Sequence, residues 1–483
     1  MRIFLVLLII LMNAPCFATD LSNSVVTIRV VGQAFDHDKP WQKKQVDKTV
    51  LSGCVIENER ILTKAYPMAN HVMVEVSKHG ENRRYPATVL LKDYHSGLAI
   101  LRVTNKDFYE DLHPIQLAES GKINEDATIA RWDASGIFKK YKAEAFKVAL
   151  ESYETKGVVL IHYMLTGMSK GGGGEPVFVD GKLVGITQWL NEREKTVKVM
   201  GVDSIKNAII DLEDGNYDGQ PFFWIGSDVE LRQDENLRNY LGVQKEDTGV
   251  LVITVPPKSS GNDVLKEGDV ILSVDGVNID DNGYYESKAY GKLKYRGNVC
   301  LEHAVGDTVK MTIIRDKQRM NVSFKLLPFT EDTFLSPPFS FDQPPQYLVW
   351  GGLIFQELSG SYLRTWGGKW KEKADKRLVY IYNNFKLWPT NERRRVVVLN
   401  RVLPAAINAG YYEKSDLILN RVNGIPVKDL QHLKELIDKK ESPFVQFEFL
   451  GGESIVLNRA KTEDVNHLIL KRYNVPSPFY LRN

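Results

Sequence analysis

The chain has 483 residues, 43% of them hydrophobic and 26% charged, enough for about three globular domains. Its formal net charge of +2 argues against nucleic acid or an acidic membrane surface as the main partner. Glycine is abundant (36 residues) and short strand-like runs outnumber helical patterns, so a mainly β protein is expected.

At the N-terminus, Arg2 precedes an apolar run from Ile3 to Met12, and the segment Asn13 to Ala18 ends on a small residue. This layout predicts a signal peptide over residues 1–18, cut after Ala18, and a secreted or periplasmic mature protein. The run is shorter than the roughly 20 residues a bilayer span needs, and no later stretch is long and apolar enough, so no stable membrane insertion is expected. Cys16 offers lipidation as an alternative, which Pro15 just before it fits poorly. Cys54 and Cys300 remain, in different predicted domains; a disulfide and two buried thiols are both open, with the thiols favoured. Nothing in the sequence calls for a cofactor or a metal.

Residues 24–32 read as a strand, followed by a charged loop, 35–48, too polar for a core. Residues 50–56 and 60–63 read as two strands joined by the turn Glu57-Asn58-Glu59. Further strands are expected at 72–76, 86–91, 98–103, 126–131, 157–162, 177–187 and 196–202. Short strands at this spacing predict a barrel or sandwich. Asp203 reads as an N-cap, and Ile205, Ala208, Ile209 and Leu212 as the stripe of a closing helix. Within this domain lies Met168-Ser169-Lys170-Gly171-Gly172-Gly173-Gly174-Glu175-Pro176, whose glycines let other backbone come close. After it, two apolar runs flank Asp180-Gly181, a strong hairpin signal.

The glycine loop, Pro176 and the hairpin ending in Val184-Gly185-Ile186 resemble the nucleophile loop of the Deg/HtrA family of trypsin-fold proteases, where it reads Gly-Asn-Ser-Gly-Gly-Pro. The family serine falls on Gly173, and Glu175 replaces a loop glycine. The family's histidine strand, Val-Leu-Thr-Asn-Ala-His, is matched by Ile61-Leu62-Thr63-Lys64-Ala65-Tyr66, which puts Tyr66 at the histidine position. The aspartate segment is matched by Ser96-Gly97-Leu98-Ala99-Ile100-Leu101, which puts Gly97 at the aspartate position. The resemblance therefore implies a degenerate triad at Tyr66, Gly97 and Gly173. A hydroxyl attacks only when an imidazole takes its proton and a carboxylate fixes that imidazole, and removing such a triad costs about 10⁶-fold in rate. The alternative is an active endopeptidase with a shifted constellation, for which His71, His95 and Ser169 are the nearest candidates. Tyr66 reads as a packing residue in the space of an imidazole. The glycine run either offers N–H groups to an anion or is a loop without a ligand.

Residues 213–220 form a polar linker. The run Leu265-Lys266-Glu267-Gly268-Asp269-Val270-Ile271-Leu272-Ser273-Val274-Asp275-Gly276 then looks like a PDZ domain, with last strands at 309–315 and 320–326. A PDZ domain adds a peptide C-terminus as a strand to its sheet edge and holds the carboxylate on loop N–H groups. By resemblance that loop falls on Phe223, Trp224, Ile225 and Gly226. An open groove and one filled by the chain itself stand about even, and the insertion 280–305 is a candidate cover. The proline-rich residues 327–346 read as a semi-rigid linker. A second, divergent PDZ follows, with Trp350-Gly351-Gly352 before a strand, Asp416 to Gly424 repeating the earlier turn, and Leu430, Leu433, Leu436 and Ile437 as its helix stripe. Basic clusters at 369–376 and 393–395 read as solvated faces or salt-bridged turns.

The expected architecture is thus mainly β: a trypsin-like double β-barrel over 19–215, then PDZ domains at 216–330 and 331–483. The order of parts looks most like the plant-type Deg proteases. That resemblance implies a pseudoprotease acting on peptide C-termini or unfolded proteins, assembled as a homotrimer. A purely structural subunit is the third reading.

Overall fold

The computed structural model describes residues 20–119, 126–151, 160–213, 218–223, 229–230, 235–384 and 388–482. Six strands close the first barrel in the order β1-β2-β3-β6-β5-β4: β1 (Val25–Gly32), β2 (Asp47–Ile56), β3 (Arg60–Lys64), β4 (His71–Lys78), β5 (Tyr85–Asp93) and β6 (Leu98–Val103). A second barrel closes as β10-β11-β12-β9-β8-β7, from β7 (Asp126–Trp132), β8 (Phe138–Glu151), β9 (Leu160–Thr166), β10 (Pro176–Val179), β11 (Lys182–Asn191) and β12 (Thr196–Gly201). This is the expected trypsin-like double barrel.

The period-2 pattern of β1 shows why. Val26, Ile28 and Val30 fill the first barrel, while Val25 joins a separate core on the other side of the sheet. That second core is the seam between barrels, where Cys54, Leu62 and Ile100 meet Phe178, Ile186 and Met200. Helix α1 (Val202–Glu213) closes the seam with Ile205 and Ala208. Asp203 lies inside the first helical turn, since the helix starts at Val202, two residues earlier than the N-cap reading placed it. Its carboxylate still favours the helix N-terminus. The sequence reading missed β8, where four lysines crowd the strand and a bulge between Ala145 and Lys147 breaks its period-2 pattern.

The second barrel's core continues into the next domain. Ile161, Tyr163 and Val199 belong to one apolar cluster with Phe223, Val252, Ile271, Tyr295 and Phe324. The insertion 280–305 contributes to this join. It forms a hairpin, Tyr284–Ser287 with Gly291–Lys294, and a helix, Arg296–Leu301. Tyr290 at the hairpin tip donates to Asp203 and lies 6.5 Å from the Tyr163 ring, while Gly297 faces Leu150. Cys54 and Cys300 are both buried, in separate cores, and no disulfide joins them.

The charged loop after β1 is not a free surface loop. The His37 carbonyl accepts from Gln356 Nε2 at 2.8 Å, the Asp38 carbonyl accepts from Asn400 at 3.0 Å, and Trp41 packs edge-on against Tyr347 at 5.8 Å. Asp38 pairs with Arg401, while the lysines at 39, 43, 44 and 48 face water. Of the basic clusters, Arg394 pairs with Asp429, and Arg395 lies 3.6 Å from Asp332 and 3.9 Å from Glu357. Among the described residues no helix is long and apolar enough to cross a membrane.

Candidate functional site

The glycine loop between β9 and β10 lies against β2 and β3 at the barrel seam. Ser52 donates its N–H to the Gly173 carbonyl at 2.9 Å. A Cβ on Gly174 would fall 2.6 Å from Thr63 Oγ1 and 2.7 Å from the Ser52 carbonyl, and its φ is +83°. Only glycine fits that approach in that conformation. Directly after β3 the chain enters a short 3-10 turn, Tyr66–Met68, with Pro67 at a position that needs no N–H donor. The Ala65 N–H donates to the Gly97 carbonyl at 2.7 Å. Gly97 itself has a φ of +79° and donates to the Asp93 carbonyl at 2.8 Å. Hydrogen bonds thus bring the segments carrying Tyr66, Gly97 and Gly173 onto one end of β3.

Glu175 organises the loop from within. Its side chain is 3% exposed. Oε2 accepts the N–H groups of Gly172 at 3.0 Å and Gly173 at 2.8 Å, together with the Thr187 hydroxyl. Arg131 stands 3.6 Å from Oε1. On the other side, Lys64 Nζ donates to the carbonyls of Gly172 (2.8 Å) and Gln188 (2.7 Å). Burial lowers the Lys64 pKa, and the Glu175 charge works against that fall. A buried carboxylate and a half-buried ammonium therefore hold the same four-residue loop. Sequence reading noted Glu175 only as a departure and missed Lys64; a lysine closing an otherwise apolar strand was the available signal.

Tyr66 is half-buried and fixed by its hydroxyl, which donates to the Tyr94 carbonyl at 2.8 Å. Its ring meets Phe341 edge-on at 5.5 Å, and Phe341 stacks on Tyr94 at 4.1 Å. Phe341 belongs to the proline-rich stretch read as a linker. Next to it, Asp342 accepts from Tyr94, from Lys92 at 2.7 Å and from the Asn70 N–H at 2.6 Å. Burial acts to raise the Asp342 pKa, and these donors outweigh it, so the net direction is down. Phe329 packs on His95 at 4.4 Å, and burial lowers the His95 pKa. The stretch is thus a strap over the face that carries Tyr66. The double substitution Phe341→Ala/Asp342→Ala removes its stacking and its ion pair, and thermolysin or chymotrypsin cleavage at the Phe and Leu sites within 327–346 should speed up about 10-fold or more. An unchanged cleavage rate would show that the strap is held elsewhere.

The shifted candidates fall in ordinary surroundings. His71 lies in β4 with Nδ1 3.0 Å from the Met68 carbonyl, and Ser169 is exposed.

For the peptide loop, Trp224, Ile225 and Gly226 lie outside the described residues. The Phe223 side chain is fully buried, stacked on Phe324 at 5.8 Å and edge-on to Tyr295 at 6.5 Å. Any part Phe223 takes in ligand capture falls to its main chain. In the second repeat the corresponding strand, Leu353–Glu357, is paired on both edges, with Tyr347–Trp350 on one side and Val397–Val402 on the other. Leu348 and Trp350 share an apolar core with Leu430, Leu433 and Ile437 of the helix Leu430–Asp438. The position an added peptide strand would take there is held by the chain itself.

Two PDZ-domain family models match the chain, one over residues 232–326 and the other over 336–479. Among curated proteins, the chain is 27% identical over 467 residues to "Protease Do-like 2, chloroplastic" of Arabidopsis thaliana, covering 94% of this chain and 74% of that one. It is 28% identical over 459 residues to "Putative protease Do-like 13" of the same plant, covering 94% and 88%. Among solved structures, "HtrA-type protease AlgW with decapeptide" is 16% identical, covers 64% of this chain and 96% of that one, and has a TM-score of 0.46. With a closed double barrel ahead of two PDZ domains, and Do-like relatives aligned along nearly its whole length, the chain belongs to the Deg/HtrA family.

Proposed function

We propose that this chain is a pseudoprotease, a Deg/HtrA scaffold that binds peptides or unfolded proteins and does not cut them. The observation that carries the reading is the set of residues at the seam. Tyr66, Gly97 and Gly173 sit on segments tied together by hydrogen bonds, and none supplies a nucleophile, an imidazole or a carboxylate. Proton transfer to and from an attacking hydroxyl has no carrier there. The first PDZ is the proposed peptide-binding module, through main-chain groups of residues 223–226, because the second is closed by its own strand. The working domain limits are 19–215, 216–330 and 331–483, the assembly is a homotrimer, and the role is chaperone-like or regulatory.

For location, we propose export with cleavage after Ala18. One of the two named relatives is chloroplastic. Organelle transit peptides are Arg- and Ser-rich and amphipathic, whereas residues 2–18 hold one arginine ahead of a continuous apolar run.

The test is a fluorophosphonate probe and denatured casein on the purified full chain, with casein binding followed in parallel. Saturable binding without labelling or fragments is the expected result. Labelling abolished by Ser169→Ala would replace this reading with that of an active endopeptidase with a shifted constellation. Absence of both binding and cleavage would leave the structural subunit.

A further inference from the structure

We infer that Glu175 is an internal plug that closes the anion-binding nest of the nucleophile loop, so that the site is shut a second time, independently of the triad positions. The inference rests on the pseudoprotease reading and goes beyond it. In acyl transfer by a serine protease, the nucleophile's own backbone N–H is one of the donors that hold the developing oxyanion. At the equivalent position here, the Gly173 N–H donates to Glu175 Oε2 at 2.8 Å, and the neighbouring Gly172 N–H donates to the same oxygen at 3.0 Å. The carboxylate is already an anion, covalently tethered two residues away and held in place by the Thr187 hydroxyl and Arg131. A transient oxyanion would have to displace it.

Lys64 completes the device. It anchors the outer side of the loop by taking the Gly172 and Gln188 carbonyls, and its ammonium faces the field of Glu175. In the family pattern these two positions hold asparagine and glycine, neither of them charged. Removing Glu175 alone leaves Lys64 and Arg131 without their carboxylate, removing Lys64 alone leaves Glu175 with Arg131, and removing both restores uncharged residues at the two positions, as in the family pattern.

The experiment compares two full-length variants by fluorophosphonate labelling. The first carries Tyr66→His, Gly97→Asp and Gly173→Ser. The second carries these together with Lys64→Asn and Glu175→Gly. The first is expected to stay unlabelled within the assay, and the second to label at least 100-fold faster, the effect of regaining oxyanion donors. Equal labelling of both overturns the plug, and so does failure of both, because the plug would then not be what holds the site closed. Labelling of the unaltered protein would sink the pseudoprotease reading instead and leave the plug to be judged on the second measurement.

That measurement needs no restored triad. In ¹⁵N-glycine-labelled protein, the Gly172 and Gly173 amide resonances should ignore acetate up to high concentration. In Lys64→Asn/Glu175→Gly they should shift saturably with it. Acetate-dependent shifts in the unaltered protein, or none in the variant, would each overturn the proposal.

Discussion

Replacing Glu175 alone by alanine lowers stability by about 3–5 kcal/mol, the cost of breaking a buried ion pair from one side. The carboxylate accepts from two loop N–H groups and a hydroxyl and stands beside Arg131. Without it these donors, Lys64 included, keep their desolvation but lose their acceptor or counter-charge. Chemical denaturation should show the loss as a lower midpoint at unchanged slope. Glu175→Gln keeps the shape and an accepting oxygen and should lose about half as much. Adding Lys64→Asn to Glu175→Gly should recover stability relative to Glu175→Gly. A loss below about 1 kcal/mol for the alanine variant would mean that water replaces the carboxylate readily.

Acidification supplies the second large effect, through His162. The ring is fully buried in β9, opposite Met200 of β12 and Ala149 of β8. Burial, helped by the Lys198 charge, pushes its pKa from 6.5 down to about 3. The folded state thus binds fewer protons at this ring than the unfolded state does anywhere below 6.5. Its contribution is fully present above that value, falls as pH drops toward about 3, and levels off beneath. The total at stake is about 3–5 kcal/mol. His37, pushed down to about 4 by burial, acts in the same direction at the contact between the charged loop and the second PDZ. Unfolding free energies of the unaltered protein and of His162→Leu, measured from pH 7.5 to 3.5, should differ in slope, with the variant flatter. Parallel curves would show that the ring is hydrated or protonated in the fold.

Much of the fold was legible because a barrel strand writes its burial with period 2. The reading at 98–103 matches β6 in full, and those at 50–56 and 60–63 fall within β2 and β3. The long β8 was not legible, since the bulge between Ala145 and Lys147 moves the core-facing set from Tyr141 and Ala145 to Val148 and Leu150, out of phase with a single period of 2. The candidate positions Tyr66, Gly97 and Gly173 came from motif resemblance; periodicity alone would have passed over all three. Lys64 and Glu175 stand 111 positions apart, and nothing in either local pattern announces that both grip one loop. The strap was misread for a related reason. Proline and phenylalanine at 327–346 set its stiffness, but not the surface it lands on.

The sequence by itself determined the order of parts, the strand alternation that closes two barrels, the PDZ turns, and the side chains at the three seam positions, because each is written in a local pattern or motif. Only the tertiary structure decided that a carboxylate takes the N–H groups of the glycine loop, that the second PDZ strand is paired on both edges, and that the linker straps the face beside Tyr66. These depend on which distant segments share a few ångströms of space, and that follows from packing the whole chain at once.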